Sequence, residues 1–146
     1  MPGIIVGVDG SDHSKRALIR AMTEAAIHHA PLTVLTVHQA VVGYAGGPVT
    51  YPEDEAETAR AREAAQAETD KVLAELDGPR PESVTVRAVH GFPAEELVNA
   101  ARGADMIVLG SRGVGGFARL LMGSVADKVV QHAPCPVLIV PPESRG

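Results

Sequence analysis

Short apolar runs alternate with longer amphipathic segments along the whole chain, and this alternation predicts the fold. Five runs rich in Val, Ile and Leu are typical of buried strands, because they are too short for core helices. These runs lie at residues 4–8, 32–37, 84–89, 105–109 and 136–140. A segment with helical spacing of its apolar residues follows each of the first four runs. The pattern predicts an α/β fold: a single doubly wound domain over residues 1–146, with a five-stranded parallel sheet and helices on both faces.

Capping and breaking residues mark the ends of the predicted helices. The first helix follows Gly10-Ser11-Asp12, whose side-chain oxygens can accept hydrogen bonds from the free N–H groups of a first turn. A Gly/Pro-rich loop at 39–52 precedes the second helix, which is expected at about 53–76. The fourth helix is expected to start at Ser124, because Ser124 and Asp127 have the spacing of a capping box.

Composition and charge exclude several classes of function. The 146 residues are 45% hydrophobic and 21% charged, which is typical of a globular chain and not of a disordered one. The net charge of −5 and the 3% of aromatic residues argue against binding to nucleic acid or to anionic membranes. No apolar run approaches the roughly 20 residues of a membrane helix, and no secretory signal is visible. A cytoplasmic location is therefore expected, and the single Cys135 excludes both an internal disulfide and a Cys-rich zinc site.

The Gly-rich segment 110–124 is the strongest candidate for a ligand site. Ligands of doubly wound sheets bind beyond the carboxyl ends of the strands, and this segment connects the fourth strand to the fourth helix. Its glycines allow the backbone to approach a ligand closely, and the free N–H groups of the following helix attract anions. Arg112 and Arg119 add positive charge. The segment therefore predicts an anion site.

Other phosphate-handling motifs do not fit the chain. Residues 113–118 match the G-x-G-x-x-A dinucleotide fingerprint, but they follow the fourth strand and lack an acidic residue about 20 positions later. A Walker A sequence is absent. A phosphoacceptor receiver domain needs an Asp after strand three and a Lys after strand five, where this chain has His90 and Pro141. The sequence thus argues against a dehydrogenase, a P-loop nucleoside triphosphatase and a receiver domain.

The spacing Gly110-x₂-Gly113-x₉-Gly123-Ser124 resembles the ATP-binding motif of the universal stress protein family. Segments 5–11 and 133–140 are similar to the start and end of that family too, so the resemblance covers nearly the whole chain. The resemblance implies a Rossmann-like or flavodoxin-like sheet in the order 3-2-1-4-5. It also implies a homodimer and, in this branch of the family, bound ATP with Mg²⁺.

The same resemblance implies which residues contact the nucleotide. Asp9 matches the acid that contacts the ribose or the nucleotide-bound metal, and Val37 matches the strand residue whose backbone contacts adenine. Gly7 stands where relatives often have Pro, and Arg112 where they often have His, so the chain departs from the family pattern at two contact positions. The full set implied for ATP is Gly7, Val8, Asp9, Val37, Leu109, Gly110, Ser111, Arg112, Gly113, Gly123, Ser124 and Val125.

Several of these residues also have a purely structural interpretation. In this interpretation Asp9 is a helix cap and nothing more. The geometry at Ser124 serves capping and phosphate binding equally. His38 and His90 follow strands two and three, where each can contact a nucleotide or simply pack. No pair of residues after the strands is a convincing general acid and base, so no catalytic residue is assigned. The sequence predicts an ATP-binding regulatory protein whose occupancy signals energy or stress state, with a slow ATP-hydrolysing enzyme as the alternative.

The last apolar run, at 136–140, predicts how the protein assembles. In the implied strand order it lies at an edge of the sheet, and it carries no charged residue. Such an edge is a hazard unless something covers it. The same strand of a second copy, antiparallel about a two-fold axis, is the simplest cover. We therefore expect a homodimer through residues 136–140.

Overall fold

The computed structural model describes residues 3–112 and 123–142 of the chain, and these residues contain seven strands and four helices. All five predicted strands and all four predicted helices are present. In chain order the elements are β1 (Ile4–Val8), α1 (Asp12–Ile27), β2 (Leu32–Gln39), β3 (Val41–Val42), β4 (Pro48–Val49), α2 (Asp54–Glu75), β5 (Val84–Gly91), α3 (Pro93–Ala100), β6 (Met106–Gly110), α4 (Ser124–His132) and β7 (Val137–Val140).

The five predicted strands form one parallel sheet in the order β5-β2-β1-β6-β7. Counted over these strands alone, the order is 3-2-1-4-5, which confirms the order that the family resemblance implied. β1 is central, because Ile4 pairs with Leu32 of β2 on one side and with Met106 of β6 on the other. The chain leaves β1 and β6 toward opposite edges of the sheet. A ligand crevice is therefore expected at the carboxyl ends of these two strands.

Aliphatic side chains form a core on each face of the sheet. One core packs α1 and α2 onto the sheet, with Leu18 and Val72 among its buried residues. The other packs α3 and α4 onto the opposite face, with Leu97 and Val129 among its buried residues. The doubly wound arrangement with helices on both faces is thus confirmed. Within the described residues, no helix is both long enough and apolar enough to cross a membrane.

Two of the strands are longer than predicted. β2 and β5 continue to Gln39 and Gly91, two residues beyond their predicted ends. His38 and His90 therefore lie inside strands and not after them, and they are partners in the register of these two strands. Both strands are longer than their apolar runs because β2 and β5 pair with each other up to Gln39 and Gly91.

The segment predicted as a loop at 39–52 contains a small hairpin. Val41 and Val42 of β3 pair with Val49 and Pro48 of β4. The turn between them includes Gly46, whose φ of +83° is strained for residues with a side chain. The prediction of an irregular loop was wrong here, because two short Val-containing runs flank a glycine turn.

One helix cap is confirmed and another prediction is wrong. Ser11 is the N-cap of α1, and its Oγ accepts a hydrogen bond from the Ser14 N–H at 3.2 Å. At α4 the N-cap is Gly123, which has the extended backbone of a capping position, and no side chain of the described residues caps the helix there. Ser124 lies one residue inside the helix, so it does not form the predicted capping box with Asp127.

Candidate functional site

Asp9 lies at the carboxyl end of β1, where the chain turns into α1. Its carboxylate Oδ1 accepts a hydrogen bond from the Ser11 N–H at 3.0 Å, and its own N–H donates to Ser14 Oγ at 3.2 Å. Between Asp9 and Ser11, Gly10 takes a φ of +84°. These bonds shape the turn, but the cap of α1 is Ser11, so the interpretation of Asp9 as a helix cap is wrong. The Asp9 side chain nevertheless remains exposed at the edge where a ligand is expected.

Gly110 brings the end of β6 against the first turn of α1. A Cβ atom at this position would lie 2.9 Å from the carbonyl oxygen of His13 and 3.1 Å from its carbonyl carbon. These are backbone atoms, so a side chain would force two elements apart. The glycine therefore allows β6 and α1 to meet closely beside the crevice.

Ser111 connects three elements at this edge of the sheet. Its N–H donates to the carbonyl oxygen of Val140 in β7 at 3.0 Å, and its own carbonyl oxygen accepts the Gly123 N–H at 2.7 Å. The Ser111 Oγ is buried and has no hydrogen-bond partner among the described residues. An unsatisfied buried hydroxyl costs about 1–3 kcal/mol, so a polar group of a ligand would fit this position.

The amino-terminal end of α4 begins directly after this junction. Because no side chain among the described residues caps it, the N–H groups of its first turn are available to an anion. Ser124 is exposed, and Val125 is partly buried against the α3–α4 core. The first intrahelical bond runs from the Asp127 N–H to the Gly123 carbonyl oxygen at 2.9 Å.

Three of the implied contact residues have side-chain positions inside the fold. Val8 is buried in the core under α1 and α2, and Leu109 is buried in the opposite core. A Cβ at Gly7 would lie 2.8 Å from Leu109 Cδ2 and 2.9 Å from Leu97 Cδ2. Gly7 thus makes room for two leucines. At these three positions only backbone atoms remain to contact a ligand.

The remaining implied residues lie around the same edge or outside the described chain. Val37 is partly buried near the end of β2, and Arg112 is partly buried directly after Ser111. Gly113 falls outside the described residues, as does most of the Gly-rich segment. A groove of about 440 Å³ is present elsewhere, between α1 and β7, and none of the implied contact residues lines it.

Acidic side chains collect on the α1–α2 side of the crevice, and one of them was not predicted. Burial raises the pKa of Glu68 in α2, Lys15 lowers it, and the charges of Asp9 and Asp12 raise it further. These carboxylates are therefore close enough to act on one another. Such a set favours a cation or a metal-bound nucleotide over bare phosphate. Glu68 was missed because its helix was expected to be simply solvated.

His38 and His90 both contact a carboxylate that the sequence did not single out. Their ring centroids lie 5.3 Å apart, and both rings reach Asp54, the first residue of α2. The pKa of Asp54 is held below its ordinary value, chiefly by the hydrogen bond from the Tyr51 N–H and further by the two histidines. These contacts therefore stabilise the ionised form of the Asp54 carboxyl group.

The sequence also matches a known family over almost its whole length. The model of the "Universal stress protein family" matches residues 2–141. A relative from Thermus aquaticus, the "Universal stress protein in QAH/OAS sulfhydrylase 3'region", is 40% identical over 139 residues. That match covers 94% of this chain and 96% of the relative.

Solved structures support the same relationship. Universal stress protein UspA from Lactobacillus plantarum has a TM-score of 0.77 and 29% identity, and the match covers 95% of this chain and 97% of that one. The universal stress protein from Archaeoglobus fulgidus in complex with dAMP has a TM-score of 0.60 and 29% identity, with coverage of 95% and 97%. Fold, family model and relatives agree, and the chain belongs to the universal stress protein family.

Proposed function

We propose that this protein binds ATP with Mg²⁺ at the carboxyl ends of β1 and β6, and that occupancy of this site signals energy or stress state. The observation that carries the proposal is the buried Ser111 Oγ, which lacks a partner among the described residues and lies beside the uncapped start of α4. The nucleotide class is supported by the relative from Archaeoglobus fulgidus, whose structure holds dAMP. The proposal includes the cytoplasmic location expected from the sequence.

Each part of Mg-ATP has residues that suit it. The N–H groups at the start of α4, with Gly123, Ser124 and Val125, suit the phosphates because a helix N-terminus attracts anions. Asp9 suits Mg²⁺ or the ribose hydroxyls, since hard cations prefer oxygen ligands. By the family resemblance, the backbone of Val37 contacts adenine, and the segment from Leu109 to Gly113 lines the ribose and phosphates.

We infer a binding protein in preference to a fast enzyme. Transfer of the γ-phosphoryl group needs a residue that orients the nucleophile and further positive charge on the transition state. Among the described residues, Asp9 is the acidic group that directly follows a strand of the crevice, and it is already engaged in the turn. We expect ATP turnover below about 1 s⁻¹, the lower end of ordinary enzyme rates. Slow hydrolysis at the same site is the second candidate function.

Calorimetric titration of the purified protein with Mg-ATP tests the binding site. Gly123→Val places branched carbons where phosphate oxygens would lie, so affinity should fall at least about tenfold, or about 1.4 kcal/mol. Gly47→Val is the matched control, because a Cβ atom added at Gly47 would meet nothing within 4 Å. The control should bind like the wild type. Equal ATP affinity of Gly123→Val and wild type would refute the assigned phosphate site, and binding of dAMP as tight as ATP would refute recognition of the triphosphate.

We further propose a homodimer that pairs residues 136–140 of two copies. β7 is an edge strand of the sheet, with apolar and partly buried side chains. Ser111 bonds to the end of β7, so a dimer through this strand would be continuous with the nucleotide site.

A further inference from the structure

The side chains of His38, Asp54 and His90 form a compact cluster outside the proposed ATP contacts. The distance from His38 Nε2 to Asp54 Oδ1 is 3.0 Å, and that from His90 Nε2 to Asp54 Oδ2 is 3.5 Å. One donor atom from each of the three residues lies within 4.8 Å of the other two. Two imidazoles and one carboxylate therefore offer three donor atoms within reach of one ion.

The fold itself assembles this cluster. His38 and His90 occupy paired positions on neighbouring parallel strands, so their side chains leave the same face of the sheet. α2 begins with Asp54 over that face, and α2 packs on both β2 and β5. The Tyr51 N–H donates to Asp54 Oδ2 at 2.5 Å, which fixes the orientation of the carboxylate. The cluster is preorganised by backbone register and by a helix start, both of which are rigid parts of the fold.

The distances fit a single small cation. Ligand atoms at 2.0–2.2 Å from a tetrahedral zinc ion lie about 3.3–3.6 Å from one another. The observed 3.0 and 3.5 Å are close to that spacing, but they run to different oxygens of Asp54, so the two imidazoles must rotate to bring both Nε2 atoms to an ion held at one of these oxygens. The side chains are 26%, 12% and 21% exposed for His38, Asp54 and His90, which leaves an entry path for an ion.

The chemistry of the donors selects the class of metal. Imidazole nitrogen suits zinc and other transition metals, whereas Mg²⁺ and Ca²⁺ prefer all-oxygen sites. The first turn of α2 also carries the acidic residues Glu55 and Glu57, whose charge attracts a cation to the same end of the helix. Glu57, one turn along α2, is close enough for the charges of His38 and Asp54 to act on it.

We propose that His38, Asp54 and His90 bind one Zn²⁺ ion, with water completing a tetrahedral site. Each neutral imidazole then carries its proton on Nδ1 and gives its Nε2 lone pair to the metal. The ion joins the start of α2 to the ends of β2 and β5. Through that contact it holds the hairpin segment 40–53, which connects β2 to α2, in place.

Zn²⁺ titration of nucleotide-free protein tests the site. Because the three ligands are not among the proposed ATP contacts, this experiment can succeed or fail independently of ATP binding. We expect one Zn²⁺ per chain, a rise in melting temperature on binding, and no competition from a tenfold excess of Mg²⁺. Co²⁺ in place of Zn²⁺ should give the visible absorption of four-coordinate cobalt with nitrogen and oxygen ligands.

Two variants and a matched control assign the ligands. His90→Ala removes one imidazole, and Asp54→Asn keeps a hydrogen-bond acceptor but loses the charge. Each should weaken Zn²⁺ binding by roughly 100-fold or more. Loss of a residue that only hydrogen-bonds to a metal ligand costs about 10–100-fold, and loss of a ligand itself should cost at least as much. His28→Ala is the control, because His28 also lies near a carboxylate, at 3.4 Å from Glu24. It should bind Zn²⁺ like the wild type.

The outcomes separate a metal site from a structural hydrogen-bonded cluster. If the cluster is only structural, the variants lower the melting temperature of the metal-free protein but the wild type shows no stoichiometric Zn²⁺ binding, and the proposal fails. It also fails if Mg²⁺ competes equally, or if His28→Ala weakens Zn²⁺ binding as much as His90→Ala. Circular dichroism of Asp54→Asn and the wild type is compared before titration, so that a loss of Zn²⁺ binding in this nearly isosteric variant is not mistaken for a folding defect.

Discussion

The hydroxyl of Ser111 is a single group through which the ATP proposal can be tested without disturbing the fold. In the free protein this buried Oγ has no partner among the described residues, so its removal should leave the free energy of unfolding unchanged or raise it. If the hydroxyl bonds to the nucleotide, Ser111→Ala should weaken ATP binding about tenfold, or about 1.4 kcal/mol. Calorimetry gives the affinity, and urea denaturation without nucleotide gives the stability.

Thr69→Val provides the comparison for a satisfied hydroxyl. Thr69 is fully buried, and its Oγ1 donates to the Ala65 carbonyl oxygen at 2.7 Å. This variant should lose roughly 1 kcal/mol of stability because one buried hydrogen bond is lost. If Ser111→Ala is destabilised to the same extent and still binds ATP with wild-type affinity, the hydroxyl has a structural partner and does not contact the nucleotide.

At the scale of single residues, the sequence predicted where a residue lies better than which residues it contacts. Asp9 and Ser111 could be placed at the sheet edge because they follow strands, and the structure puts them there. The role of Asp54 could not be predicted, since it depends on how segment 40–53 returns α2 to the strand ends. The packing role of Gly7 was also out of reach, because it depends on two leucines from α3 and β6.

At the scale of elements, the junction between β6 and α1 depends on Gly110. A methyl group there would meet the His13 backbone at 2.9 Å, and neither β6 nor α1 can move without disturbing a core. Gly110→Ala should therefore lower the free energy of unfolding by about 1–3 kcal/mol, as overpacking usually does. Urea denaturation measures this loss.

Gly47→Ala is the matched control for that change. Gly47 lies in the hairpin turn, and an added Cβ would meet nothing within 4 Å. Its stability should stay within about 0.5 kcal/mol of the wild type, the usual range for surface substitutions. Similar losses for the two variants would mean that the effect comes from glycine itself and not from close packing of β6 on α1.

Elements that carry a long periodic pattern were predictable, and their ends were less so. The apolar runs located all five sheet strands, yet parallel pairing extended β2 and β5 by two residues past those runs. The hairpin of β3 and β4 was missed because each strand has only two residues. The start of α4 at Ser124 was predicted correctly, but its N-cap is Gly123 and not Ser124, since glycine and serine both suit a capping position and only the backbone angles distinguish them.

At the scale of the whole molecule, the two edges of the sheet differ in a way that favours one for assembly. The β5 edge presents the exposed residues Thr85 and Arg87, and a charged side chain discourages pairing with another strand. The β7 edge, Val137–Val140, is apolar throughout. Since the backbone N–H and C=O groups on the open side of β7 have no neighbouring strand in residues 3–112 and 123–142, this edge is the one we expect a second copy to cover.

Ile139→Lys tests that assembly by adding to β7 the kind of charge that protects edge strands. Two copies of the lysine would lie near the two-fold axis, so the dissociation constant of the dimer should rise at least about tenfold, which is about 1.4 kcal/mol. Ile27→Lys is the matched control, because Ile27 is exposed at the end of α1, away from this edge. Light scattering and sedimentation of both variants and the wild type measure the mass, and circular dichroism checks that the variants fold. A monomeric wild type at micromolar concentration, or a dimer that Ile139→Lys leaves intact, would show that the β7 edge is not the interface.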